Sequence, residues 1–172
     1  MTIEQLFSYL NTENDNQTSY HHYAIIDAAK DEKICPMIIK SSEQYACLFR
    51  GNQAIDMASV APYLIKVEKE NPVAKTFIEK GWDNNWGIIL SSDAKFDLIK
   101  RHLRKFLTVE DEEGKMMMFR YYDPEVLRIF LPTCIPDQLN MFFGPVKKYY
   151  VNNEENQISM YTNYEGKLKT SY

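Results

Sequence analysis

Two aspartates and one histidine are the side chains of this sequence best suited to acid–base chemistry. Asp27 ends the apolar run YAIID at residues 23–27, and Asp123 follows the apolar run 116–122. If both runs are strands of one sheet, the carboxylates meet at its edge as an acid–base pair, with His102 as a third titratable group. This pattern indicates a small α/β enzyme with an Asp/His site. A turn role for Asp27 and a helix cap at Asp123 explain the same residues without catalysis.

The sequence lacks the motifs that usually carry catalysis. It contains no GxSxG, no phosphate-binding glycine loop, no HExxH and no dinucleotide-binding glycine fingerprint. Ser91 and Ser92 follow an apolar run, but no flanking glycine permits a strained nucleophile turn, so they are interpreted as caps of the next helix. The pair His21-His22 has no second pair of metal ligands. The sequence therefore favours a protein that is not an enzyme and that holds no metal or cofactor.

Two arginines are candidates for binding. Arg120 lies in the methionine- and aromatic-rich run 116–122, where a charge is seldom buried unless it is paired. Its structural role would be an ion pair or a pair of hydrogen bonds to carbonyls at a helix end. Its functional role would be to anchor a carboxylate or a backbone group of a partner. Arg104 lies on the basic side of a helix predicted at residues 94–107. Cations in the last turns oppose the negative helix end, so a solvated face is favoured there over a dedicated anion site.

Strand and helix patterns alternate along the chain. Apolar runs predict strands at residues 23–27, 45–49, 63–67, 86–90 and 116–122. Helical spacing and proline starts predict helices at residues 2–10, 72–80, 94–107, 124–131 and 136–143. The alternation predicts an α/β fold, with α+β as the alternative: a mixed β-sheet flanked by helices. The runs 23–27, 45–49, 86–90 and 116–122 are predicted as neighbouring strands, and the C-terminal part as a lobe of helices and short strands.

Composition limits the classes of protein. The chain has 172 residues, enough for one domain with a buried core, and a formal charge of −4, which does not favour nucleic acid or an anionic membrane as a partner. Its first residues lack a basic start followed by an apolar run, so we expect a cytoplasmic protein. The 3 cysteines show no CxxC spacing, and reduced, buried thiols are expected. The 12 tyrosines suit either an interface or a sheet core.

Six stretches together resemble one family. They are YAIIDAA (23–29), APYLIKV (61–67), WGIILSS (86–92), HLRKFLTV (102–109), FRYYDPEVLRIFLP (119–132) and DQLNMFFGPV (137–146). Their types and order resemble the type VI secretion effector adaptor, or chaperone, family, the Tap/TEC adaptors long labelled a domain of unknown function. The similarity covers a core of residues 23–146 in a single domain and leaves a C-terminal extension, 147–172.

The resemblance implies a cytoplasmic, non-enzymatic protein that binds the N-terminal region of a toxic effector and promotes its loading onto the VgrG spike. The residues expected to contact a partner are Arg104, Arg120, Tyr121, Tyr122, Phe142 and Phe143. The motif positions expected to hold the fold are Asp27, Trp86, Asp123, Pro124, Gly144 and Pro145. An adaptor requires an extended apolar and tyrosine-lined groove, whereas the rival enzyme requires a closed pocket with convergent polar groups.

Overall fold

Continuous apolar runs form the centre of a seven-stranded sheet in this computed structural model, which describes residues 1–12, 20–111, 113–153, 155 and 157–171. The strands are β1 (His21–Asp27), β2 (Tyr45–Cys47), β3 (Pro62–Lys66), β4 (Gly87–Ser92), β5 (Thr108–Glu110), β6 (Met116–Met118), β7 (Val146–Asn152), β8 (Ile158–Tyr164) and β9 (Lys167–Ser171). The sheet order is β2-β3-β1-β4-β7-β8-β9, and β5 pairs with β6 in a separate ribbon. These described pairings are antiparallel.

The strand β1 lies between β3 and β4, with Ile25 opposite both Leu64 and Ile88. Its residues 23–27 and all of β4 are buried, as expected for strands covered on both faces. At Gly87 an added Cβ would lie 1.9 Å from the carbonyl oxygen of Ile25. The close pairing of the two central strands therefore requires glycine at this position.

The sheet flanked by helices confirms the predicted fold class. Strands and helices alternate through the first half of the chain, as the sequence pattern indicates. Neighbouring strands of the sheet are antiparallel, which corresponds to the α+β alternative, because a purely parallel sheet is typical of α/β folds.

The prediction that residues 116–122 form a strand of the main sheet is wrong. Only Met116–Met118 are extended, and they pair with Thr108–Glu110 in a two-stranded ribbon. The chain then turns, and Tyr121 and Tyr122 are buried at the start of a helix. A dense apolar run indicates burial, but a turn that inserts aromatic rings into the core produces the same pattern.

The C-terminal residues extend the sheet and are not a separate lobe. β7 pairs with β4, β8 with β7, and β9 forms the far edge. Tyr149, Tyr150 and Val151 are buried in β7. These side chains continue the buried faces of the neighbouring strand β4, so the segment after residue 146 belongs to the same core.

Helices cover the sheet. They are α1 (Ile3–Thr12), α2 (Ile34–Ile39), α3 (Gly51–Asp56), α4 (Pro72–Thr76), α5 (Phe96–Leu103), α6 (Pro124–Phe130) and α7 (Pro136–Phe143). α4 continues into a π-helical turn, Phe77–Gly81, and α5 into a 3-10 turn, Arg104–Phe106. Proline at the first position of α4, α6 and α7 confirms the predicted helix starts. Among the described residues, none of these helices has the length and apolar character needed to span a membrane.

Candidate functional site

Four charged side chains meet where β1 ends and α6 begins. Asp27 accepts a 2.5 Å hydrogen bond from Nη2 of Arg120. Asp123, the N-cap of α6, lies 3.8 Å from the same nitrogen and 2.7 Å from Nζ of Lys30. We call Asp27, Lys30, Arg120 and Asp123 the charged cluster. The two aspartates share Arg120 as a counter-ion, and Asp123 also pairs with Lys30, so the four side chains form a salt-bridge network.

The pairing of Asp27 with Arg120 confirms the structural ion pair as a role of this arginine. Asp27 is only 1% exposed, while the side chain of Arg120 is 43% exposed. The hydrogen bond to Asp27 raises the pKa of Arg120, so the guanidinium stays charged and compensates the buried carboxylate. Asp27 also accepts the backbone N–H of Ala29 and caps a 3-10 turn, as its turn role predicted. The exposed part of Arg120 leaves partner anchoring as a further prediction.

Loss of Arg120 should therefore destabilise the fold. We expect Arg120→Ala to lower the free energy of unfolding by about 2 kcal/mol, because the buried carboxylate of Asp27 loses its cation. Urea unfolding at neutral pH measures the change. Arg101→Ala is the matched control, since Arg101 is exposed on α5, and its expected change is within about 0.5 kcal/mol. Equal losses in the two variants would show that the ion pair contributes nothing specific.

Asp123 caps α6 as predicted. Its Oδ1 accepts the N–H of Glu125 at 3.1 Å, which satisfies one of the free donors of the first turn. We expect Asp123→Ala to cost about 1 kcal/mol without changing partner choice. Thermal melting measures the first effect and pull-down the second. A variant that melts like the wild type but loses its effector would make Asp123 a contact residue.

The aromatic residues predicted to contact a partner lie in the core. Tyr121, Tyr122, Phe142 and Phe143 are each at most 3% exposed. The hydroxyl of Tyr121 donates to the carbonyl of Leu103 at 2.9 Å. Burial raises the pKa of Tyr122 to about 12, so it stays neutral. In this structure these rings stabilise the fold from inside, and direct partner contact remains a prediction for the two arginines only.

Arg104 also has a structural role. Its Nη2 donates to the carbonyls of Cys47 at 2.7 Å and Phe49 at 3.4 Å, so it connects the turn after α5 to the end of β2 and to the residues just after it. Its side chain is half-buried and is not part of a fully solvated face. Arg104 also lines a surface pocket of about 250 Å³, together with Arg50 and Thr108.

His102, the third titratable group of the enzyme hypothesis, is buried on α5. Its Nε2 donates to the carbonyl of Phe142 at 2.8 Å, and burial lowers its pKa. No hydrogen bond or ion pair between described residues joins it to Asp27 or Asp123. The three groups of the enzyme hypothesis therefore do not form one hydrogen-bonded site in the part of the chain that the structure describes.

Ser91 and Ser92 end β4 and do not cap α5, whose N-cap residue is Lys95. Ser91 is buried, and its hydroxyl lies 2.7 Å from Nδ1 of His22 and donates to the hydroxyl of Tyr150. Ser92 donates to the carbonyl of Pro145. Both serines therefore bind neighbouring strands and loops, because hydroxyls in a buried strand must find partners.

The remaining motif positions lie where two elements of the fold meet or where a helix begins or ends. The carbonyl of Trp86 accepts the N–H of Asp27 at 2.7 Å, and its ring packs so closely on Gly81 that an added Cβ would lie 2.5 Å from it. Pro124 is buried at the first position of α6. Gly144 ends α7 with φ +47°, a left-handed conformation that favours glycine. Trp86 thus positions Asp27 of the charged cluster.

Sequence reasoning missed two features of this region. Lys30 belongs to the charged cluster, but its spacing from Asp123 gives no local signal for that contact. The methionines of β6 are exposed although their apolar run predicted burial. The acidic turn that follows β5 was the available signal, because a charged hairpin tip indicates a ribbon that projects into solvent.

The structure is thus a domain in which helices cover an antiparallel sheet and a charged cluster joins β1 to α6. A family model described as "Domain of unknown function (DUF4123)" matches residues 22–141, from β1 into α7. The chain belongs to this family. No curated protein and no solved structure matches the chain.

Proposed function

We propose that this protein is an adaptor that binds a type VI secretion effector and promotes its loading onto the VgrG spike. The observation that carries the proposal is the family match over residues 22–141, since this family is associated with such adaptors. The motifs FRYYDP and FFGP lie where the chain enters α6 and leaves α7. The protein acts as a binding module in the cytoplasm, without turnover of its own and without nucleic acid or membrane as a partner.

Exposed apolar side chains support a binding role. The methionines of β6 are exposed by at least 41%, and Ile55 on α3 and Ile129 on α6 are exposed by more than half. An apolar segment of an effector would aggregate if it stayed exposed, and a chaperone covers it with apolar surface of its own at roughly 25 cal/mol per Å² buried.

Co-expression tests the proposal. The protein is produced with the toxin encoded beside its gene, with that toxin's N-terminal region alone, or with the neighbouring VgrG, and the complexes are purified by a tag on the adaptor. We expect soluble complexes with the full toxin and with its N-terminal region, and a toxin of unrelated sequence as the control should not be retained. Failure to bind any neighbouring toxin or spike removes the adaptor function.

Arg120→Ala separates the two roles of this arginine in the same assay. A folded variant with weaker effector binding places Arg120 at the interface, where charge-assisted hydrogen bonds fix orientation. A folded variant that binds normally confines Arg120 to its ion pair with Asp27.

A further inference from the structure

The ribbon of β5 and β6 exposes methionine on both of its faces. Met116, Met117 and Met118 are 60%, 44% and 41% exposed. Successive strand residues point to opposite faces, so neither face of the ribbon is covered by the described part of the chain. Adjacent exposed apolar side chains mark interaction surfaces, and the flexible thioether of methionine adapts to irregular partners.

One face of the ribbon is continuous with a pocket. Met118 pairs with Thr108 and Met116 with Glu110, and directly opposed residues of an antiparallel pair lie on the same face. Thr108 also lines the pocket of about 250 Å³ beside the ribbon. Its other lining residues are Leu48, Phe49, Arg50, Gln53, Arg104 and Leu107. A strip therefore runs from the pocket along Met118 and Met116, beside Thr108 and Glu110, to the hairpin turn.

The two ends of this strip carry opposite charge. The pocket end has the exposed guanidinium of Arg50 and that of Arg104, whose buried Nε–H has no hydrogen-bond partner among the described residues. The turn end carries the acidic residues Glu110, Asp111 and Glu113 and one lysine, Lys115. Asp111 holds this turn by accepting the N–H groups of Glu113 and Lys115.

We propose that this strip binds one short apolar segment of the effector, which carries a carboxylate at the pocket end and cationic side chains at the turn end. The inference rests on the proposed adaptor function and names the surface and the chemistry of the bound segment. Apolar contact with Met116 and Met118 supplies affinity. The opposite charges at the two ends fix the direction in which the segment lies, because mismatched ends would place like charges together.

The first test replaces the methionines. The probe is the N-terminal region of the neighbouring toxin, titrated calorimetrically against Met116→Gln/Met118→Gln and against Met141→Gln. Met141 is the matched control because it is 63% exposed on α7. We expect the ribbon variant to bind about tenfold more weakly and the control to bind like the wild type. The wild type and both variants should have the same melting temperature, since these positions are exposed.

The second test reverses a charge. Overlapping synthetic peptides that cover the same toxin region identify the bound segment, and Arg50→Glu should bind it about tenfold more weakly. Replacing the acidic residue of that peptide by lysine should restore binding to Arg50→Glu and weaken binding to the wild type. A bound segment without charged ends, or no rescue, overturns the predicted direction.

The outcomes separate this inference from the function on which it rests. If the wild type binds neither toxin nor spike, the adaptor function and the ribbon site both fail. If the wild type binds and the ribbon variant binds equally well, the adaptor function stands and the ribbon site is overturned.

Discussion

Gly144→Ala is expected to lose about 4 kcal/mol of unfolding free energy, as the sum of backbone strain and a steric clash in the core. Gly144 has φ +47° and ψ −114°, a combination that side chains disfavour. An added Cβ would also lie 2.4 Å from Cε1 of His102. The imidazole has little room to move, because it is hydrogen-bonded to Phe142 and packs against Phe106 with ring centroids 5.1 Å apart.

Gly51→Ala separates the two contributions. Gly51 has φ +53°, but an added Cβ would meet nothing within 4 Å, so only the backbone strain of about 1 kcal/mol remains. Urea unfolding of both variants measures the difference. If Gly144→Ala is no less stable than Gly51→Ala, the contact between the end of α7 and His102 does not constrain this glycine.

The central sheet could be predicted from the sequence because its signal is local. YAIID and WGIIL are continuous apolar runs of strand length, and both are buried strands in the structure. Asp123 and Pro124 predict the start of α6 for the same reason, since a cap and its helix are adjacent in the chain. Local signals of this kind do not depend on which elements pack together.

The placement of the site depends on contacts that are distant in sequence. The partner of Arg120 is Asp27, 93 positions away, and periodicity cannot select it among the other carboxylates. His102 lies on the side of α5 that periodicity assigns to a polar edge, but α7 and its terminal glycine cover it. The methionines of β6 have the composition of a core strand and are exposed because the hairpin leaves the sheet. Ion pairing and side-chain burial depend on tertiary contacts, and these contacts override the preferences that a local stretch of sequence shows.

A second large loss of stability is expected in mild acid. Burial lowers the pKa of His22 to about 4, and the charges of His21 and Lys148 act in the same direction. His22 lies against Phe7 and within hydrogen-bonding distance of Ser91. The structure therefore holds the imidazole neutral, whereas the unfolded chain protonates it with an ordinary pKa near 6.5.

The sign of the effect follows from proton binding. Between pH 6.5 and pH 4 the unfolded state binds more protons than the folded state, so stability falls as pH falls through this window. The folded pKa of about 4 predicts a loss of about 2 kcal/mol by pH 5 and about 3 kcal/mol by pH 4. Above pH 7 the contribution of this histidine is complete and stability no longer depends on it.

His22→Gln isolates this contribution, because glutamine keeps a polar group near Ser91 but does not titrate. Urea unfolding of both proteins at pH 7 and pH 5 gives the two pH-dependent losses, and the wild type should lose about 2 kcal/mol more than the variant. The interval stops at pH 5 because aspartate and glutamate side chains in general begin to bind protons below it. Equal losses in the two proteins would mean that His22 accepts a proton in the folded state as readily as in the unfolded chain, and that its burial beside β4 imposes no cost on the cation.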